Sequence, residues 1–112
     1  MPYIRVQTNQ TAADPNSLLP KLSAVAAKAI GKPESYVQTA LDDGRPMTFG
    51  GSNAPTVFIE CKSIGLTESQ TTGISATLSR FCTDELSVPD NRIYIEFTGA
   101  SGKMWGWQSG TF

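Results

Sequence analysis

One strand–helix–strand pattern is written twice along this chain, and the repetition limits the fold more than any other feature of the sequence. In the first copy, Leu18, Leu22, Val25, Ala26, Ala29 and Ile30 recur at the spacing that places apolar side chains on one face of a helix. Asn16 and Ser17 can each cap its start. Gly31 suits the left-handed residue that ends a helix, and Pro33 forbids resumption. A shift of 56 positions carries Leu18 onto Ile74, Leu22 onto Leu78, Val25 onto Phe81, Ala26 onto Cys82 and Ile30 onto Leu86. The punctuation travels with it: Pro33 falls on Pro89, Glu34 on Asp90 and Val37 on Ile93. Two amphipathic helices share apolar spacing easily. They share a following proline and acidic residue much less readily.

Strands flank both helices. Residues 3–8 alternate, with Tyr3, Arg5 and Gln7 set against Ile4, Val6 and Thr8. Residues 56–63 are the rough counterpart, and residues 36–41 read as the strand after the first helix. The 112 residues suffice for one domain, with pseudo-repeats of about 2–55 and 56–112. The expected class is α/β, two βαβ units forming a four-stranded mixed sheet. Right-handed crossovers put both helices on one face. The other face, taken as apolar, then needs a second subunit to cover it. Residues 43–46 read as a turn and residues 47–49 as a short extra strand. Residues 105–112 are too aromatic for a loose end and read as an edge strand or an intersubunit contact.

Composition removes several functions. With net charge −1 and no clustering of Lys or Arg, the chain has no basic stripe for nucleic acid. No apolar run is long enough to cross a bilayer, and the N-terminus lacks the apolar core of a signal peptide, so a cytoplasmic location is expected. Charged residues are only 17% of the chain, which agrees with surface reserved for another subunit. Cys61 and Cys82 are far apart among apolar neighbours and read as reduced thiols. The chain contains no His, which removes every Ser-His or Cys-His scheme and leaves no sign of a metal site or any cofactor.

A base must therefore come from elsewhere, and the start of the chain offers one. Met1 precedes a small residue, so its removal is expected, leaving Pro2 with a free secondary amine. An α-amino group titrates at about 7.7–8.0, and apolar surroundings lower that value by disfavouring the ammonium. A base poised near neutrality suits proton abstraction beside a carbonyl. Met-Pro also opens many chains without consequence, so the dipeptide alone decides nothing.

Other motifs decide it: Gly31-Lys32-Pro33, Met47-Thr48-Phe49-Gly50-Gly51-Ser52, Ser63-Ile64-Gly65, Pro89-Asp90-Asn91-Arg92-Ile93-Tyr94-Ile95, and the ending from Gly106-Trp107 to Thr111-Phe112. Together with Met1-Pro2, and in this order over the whole chain, they resemble the macrophage migration inhibitory factor family of the tautomerase superfamily. The resemblance implies a homotrimer with active sites at subunit interfaces. It implies an isomerase of the phenylpyruvate tautomerase type, interconverting keto and enol forms of aromatic 2-oxo acids without a cofactor. Pro2 matches the catalytic proline. Lys32 matches the lysine that meets the substrate carboxylate, and Ile64 the position whose backbone N–H faces it. Tyr94 matches a wall tyrosine given by the neighbouring subunit, and Tyr36, Trp107 and Phe112 match the aromatic lining. Read from the residues alone, Lys32 equally complements a helix C-terminus, Tyr94 fits strand packing, and Trp107 and Phe112 fit a subunit contact.

The chain departs from the animal members at three places. Glu96 replaces an asparagine near the substrate, and Trp105 replaces a small aliphatic residue, narrowing the pocket. The Cys-x-x-Cys motif after the position of Pro55 is absent, the run here being Thr56-Val57-Phe58-Ile59. Two other functions stay open. One is a cytokine-like ligand for a cell-surface receptor, since animal members signal and lack a signal peptide, leaving non-classical release available. The other is a different proline-dependent reaction, decarboxylation or hydration of a small acid, with Glu96 activating water.

Overall fold

The computed structural model describes residues 1–112. The chain order is β1 (Tyr3–Thr8), α1 (Pro15–Ile30), β2 (Gln38–Asp42), β3 (Val57–Ile64), α2 (Glu68–Leu86), β4 (Ile93–Ala100) and a small hairpin of β5 (Gly106–Trp107) and β6 (Gly110–Thr111). The main sheet has the order β2-β1-β3-β4. β1 pairs with β2 and β3 with β4 in parallel, as two crossover units require, while β1 and β3 meet antiparallel at the centre. The α/β architecture read from the sequence is the one found.

The repeat is visible in local geometry as well as in topology. The buried side chains of α1 include Leu18, Leu22, Ala26 and Ile30, and those of α2 are Ile74, Leu78, Phe81, Cys82 and Leu86. Gly31 and Ser87 hold the same place after their helices, and both are left-handed, with φ of 78° and 58°. A short 3-10 turn then follows each, at Glu34–Tyr36 and at Asp90–Arg92. The start of α1 lies earlier than expected. Asp14 is the cap, its carboxylate accepting from the N–H of Ser17 at 3.2 Å, with Pro15 in the first turn. Such a cap contributes about 1 kcal/mol. Pro15 explains the shift, since its fixed φ is already helical and it has no N–H to lose. Gln70 joins the two helices. Its side chain accepts from the N–H of Thr67 at 3.1 Å and donates to the carbonyl of Ile30 at 3.4 Å.

The core lies between the helices and one sheet face. Ile4, Val6, Val57, Ile59 and Cys61 alternate inward to meet Leu22, Ile74 and Leu78. The other face departs from expectation. It carries Arg5, Asp42, Glu60 and Lys62, not a continuous apolar surface. The Arg5 guanidinium donates to Asp42 and, at 3.3 Å, to Glu60, and Lys62 reaches Glu60 at 3.9 Å. Strand alternation sends the aliphatic residues to the helices, so an apolar uncovered face does not supply the reason for assembly. Two further expectations change. Residues 47–49 form no strand, only an isolated bridge between Phe49 and Ser52. The C-terminal segment is a separate hairpin, which removes the edge-strand alternative for residues 105–112 and leaves that of an intersubunit contact. No helix is long and apolar enough to cross a membrane.

Candidate active site

The first strand begins at Tyr3, so Pro2 stands just outside the sheet, held by its backbone. Its carbonyl accepts from the N–H of Gln38 at 2.9 Å, extending the β1–β2 pairing by one residue. The pyrrolidine ring is fully buried. Beside it opens a cleft of about 320 Å³, lined by Met1, Pro2, Tyr36, Trp105, Trp107 and Phe112 together with Ser35, Val37, Gln38 and Gly106. That is the lower end of the size range of small-molecule sites.

Three of the cleft's four aromatic residues pack on one another. Trp107 and Phe112 stack, with centroids 5.3 Å apart and planes 13° from parallel. Tyr36 meets both edge-on, at 6.1 Å and 6.2 Å. The hairpin brings the tail back to make this stack. Gln108 and Ser109 have φ of 54° and 64°, which turns the chain between β5 and β6. The approach is close: a Cβ on Gly102 would lie 2.9 Å from the carbonyl oxygen of Phe112. Glycine is required there by contact, not by backbone angle.

The terminal amine lies in the same place. The ammonium of Met1 donates to the carbonyl of Tyr36 at 3.0 Å. Its pKa is lowered from the ordinary 8.0, first by burial and second by the positive charge of Lys32. Lys32 does not line the cleft but stands near enough to act on its charge. With Met1 attached, the nitrogen of Pro2 is an amide and has no basicity. Loss of Met1 would turn that nitrogen into an amine, and a cleft with such an amine, a nearby cation and an aromatic wall can bind a small aromatic anion and move one of its protons.

The structure thus gathers Pro2, Tyr36, Trp105, Trp107 and Phe112 in one cleft, with Lys32 at its margin. Ile64 closes β3 outside the lining. The N–H of Gly65 goes to the carbonyl of Ala100 in β4, so strand alternation aims the N–H of Ile64 the other way, toward the β1 side. Tyr94 and Glu96 do not reach the cleft within the chain. Tyr94 pairs with Phe58, which pairs with Gln7 at the far end of β1 from Pro2, and Glu96 is level with Glu60 and Arg5. Ser35, Val37 and Gln38 were not singled out from the sequence. The signal was available in the parallel pairing of the first and second strands, which brings residue 38 beside residue 3. A larger hollow along α2 is lined mostly by polar residues, Ser75, Ser79, Arg80, Thr83, Asp84, Asp90 and Asn91, with Ala76 and Pro89. It has no buried polar atom without a partner and offers no comparable chemistry.

A βαβ pair with its opening proline buried in an aromatic cleft defines the class. The family model described as macrophage migration inhibitory factor matches residues 1–112. A macrophage migration inhibitory factor homolog of Brugia malayi is 40% identical over 114 residues, covering 100% of this chain and 99% of the relative. A crystal structure of a macrophage migration inhibitory factor homologue from Prochlorococcus marinus superposes with TM-score 0.93 at 44% identity, covering 98% of each chain. The factor from Trichinella spiralis superposes with TM-score 0.92 at 34% identity, covering 98% of this chain and 99% of that one. The chain belongs to the macrophage migration inhibitory factor family of the tautomerase superfamily.

Proposed function

We propose that this chain is a keto–enol tautomerase for phenylpyruvate-like aromatic 2-oxo acids, with the amine of Pro2, freed by loss of Met1, as base and acid. Family membership supports a tautomerase or cytokine-like function in general terms. The observation that carries the finer reading is the burial of Pro2 beside Tyr36, Trp107 and Phe112 in one cleft. A site built only to bind another protein has no need of an opening proline enclosed by aromatic rings.

The neutral amine takes a proton from the carbon next to the carbonyl. The C–H electron pair becomes the C=C bond, and charge collects on the carbonyl oxygen. The prolinium then returns its proton to that oxygen, and the reverse sequence restores the keto acid. Lys32 and the N–H of Ile64 hold the carboxylate, while Trp105, Trp107, Tyr36 and Phe112 hold the ring. Neither a metal nor an organic cofactor is required by these steps.

On this reading Tyr94 and Glu96 serve the cleft of a neighbouring subunit of a homotrimer, since neither reaches the cleft of its own chain: Tyr94 lies level with Gln7 at the far end of β1, and Glu96 level with Arg5 at its middle. Glu96 is exposed beside Glu60, so it adds negative charge at the mouth and favours substrates whose ring carries no second anion. The test follows the ultraviolet decay of enol phenylpyruvate with processed protein whose mass and trimeric state have been verified. Turnover supports the assignment. A processed trimer without turnover overturns it.

A further inference from the structure

Tyr36 and Arg92 end equivalent 3-10 turns of the two repeats. Tyr36 enters the cleft beside Pro2. Arg92 is used differently. Its Nε donates to the carbonyl of Pro55 at 2.8 Å, Nη1 to that of Phe49 at 3.2 Å, and Nη2 to those of Ser52 and Ala54 at 3.1 Å each. All three nitrogens serve backbone carbonyls of one loop, residues 49–55. The guanidinium also covers the ring of Phe49, 5.2 Å from its centroid.

The loop is tight on its own account. Phe49 and Ser52 exchange N–H···O bonds of 2.9 Å and 3.1 Å, around Gly50 and Gly51 with φ of 60° and 78°. From this loop the ring of Phe49 reaches Tyr94, with centroids 4.6 Å apart and planes 47° from parallel. Tyr94 is 63% exposed, and beside its cross-strand partner Phe58 it is the ring of Phe49, packed on it, that limits how its own ring can lie. The backbone beneath is fixed as well, since the hydroxyl of Thr56 donates to the carbonyl of Arg92 at 2.8 Å.

We infer that Arg92 is a positioning residue, which clamps the loop at residues 49–55, holds Phe49 on Tyr94, and thereby sets the ring plane of Tyr94. The inference rests on the reading of Tyr94 as a wall of the neighbouring subunit's cleft. On that reading the clamp governs the grip on the substrate's aromatic ring and leaves proton transfer at Pro2 untouched. A lysine keeps the charge but cannot present a planar fork of donors to four carbonyls.

The test uses full-length protein labelled with 3-fluorotyrosine. The chain has three tyrosines, Tyr3, Tyr36 and Tyr94, and the Tyr94 resonance is assigned by Tyr94→Phe. Arg92→Lys shifts or broadens the Tyr94 resonance and leaves the other two in place. Phe49→Leu does the same with every carbonyl contact of Arg92 retained, and covers the case in which Arg92→Lys fails to fold. Adding Arg92→Lys to Phe49→Leu produces no further movement. With enol phenylpyruvate, KM rises roughly 2- to 10-fold, the worth of one aromatic contact, while kcat and the pH profile hold. An unmoved Tyr94 resonance in either folded variant overturns the clamp. Absence of turnover in wild type would count against the tautomerase reading, and the fluorine spectrum would still decide on the clamp.

Discussion

The N–H of Gln38 donates to the carbonyl of Pro2 across 2.9 Å, tying the first residue before β1 to the first residue of β2. The bond is backbone to backbone, so it survives replacement of the side chain at either position. Pro2 is therefore held at the cleft by the sheet and not by its ring. Substitution there changes the amine and its enclosure while the strand pairing remains, at a backbone entropy cost near 0.5–1 kcal/mol for glycine.

Lys32→Met should separate binding from base strength. Loss of a charged contact to the substrate carboxylate raises KM by roughly 10- to 100-fold. The amine should also change. Lys32 is the second cause, after burial, that lowers the Met1 amine below its ordinary 8.0, one residue from the nitrogen proposed as the base. On the proposed reading the same cation acts in the same direction on the freed Pro2 amine, so its removal moves the limb of the pH–rate profile lost on acidification to higher pH. An unchanged profile together with an unchanged KM would contradict both roles.

Gly102→Ala should loosen the aromatic wall with little harm to the fold. The new Cβ meets the carbonyl oxygen of Phe112 at 2.9 Å and its Cβ at 3.2 Å, which forces the chain end outward. The stack of Phe112 on Trp107 then opens. Tryptophan fluorescence shifts to the red and KM rises. The melting temperature changes little, because the displaced segment lies outside the buried core. A variant that keeps the wild-type spectrum and KM would show that this contact does not shape the cleft.

The thiols should be silent in the native protein. Burial pushes Cys61 up to about 11 and Cys82 up to about 12, from an ordinary 9.0. At neutral pH neither yields thiolate, so a thiol-disulfide reagent reacts with neither until the protein is denatured, and then with both. The same shifts fix a sign. Above pH 9 the unfolded chain loses two protons that the folded chain keeps, so stability falls as pH rises past that point. Prompt labelling of the native protein at neutral pH would contradict the burial.

Much of this architecture was legible because it is periodic. The spacing of Leu18, Leu22, Ala26 and Ile30 and of their counterparts in α2 is enough to mark the helices and the two-fold plan. The free sheet face was misread because residue type was weighed without strand parity. Val6 and Ile59 turn inward, and the intervening positions are Arg5, Glu60 and Lys62. The helix start was placed late because Asp14 stands before a proline in what reads as loop. The cleft was half legible. Pro2, Tyr36, Trp107 and Phe112 stand in short motifs and line one cleft. Ser35 and Gln38 have no chemical signature, and only β1–β2 register puts them at the wall. The pairing of Arg92 with Phe49 spans 43 positions and has no local pattern to announce it.

The central claim is that the amine of Pro2 does the chemistry. The most direct measurement compares enol phenylpyruvate turnover by processed wild type, by Pro2→Gly, and by protein that retains Met1, each verified by mass spectrometry. The account predicts fast turnover in the first, a loss of two or more orders of magnitude in the second, and almost none in the third, where the proline nitrogen is an amide. Equal turnover in wild type and in the Met1-retaining protein would contradict it, because a nitrogen without a basic lone pair cannot take the proton.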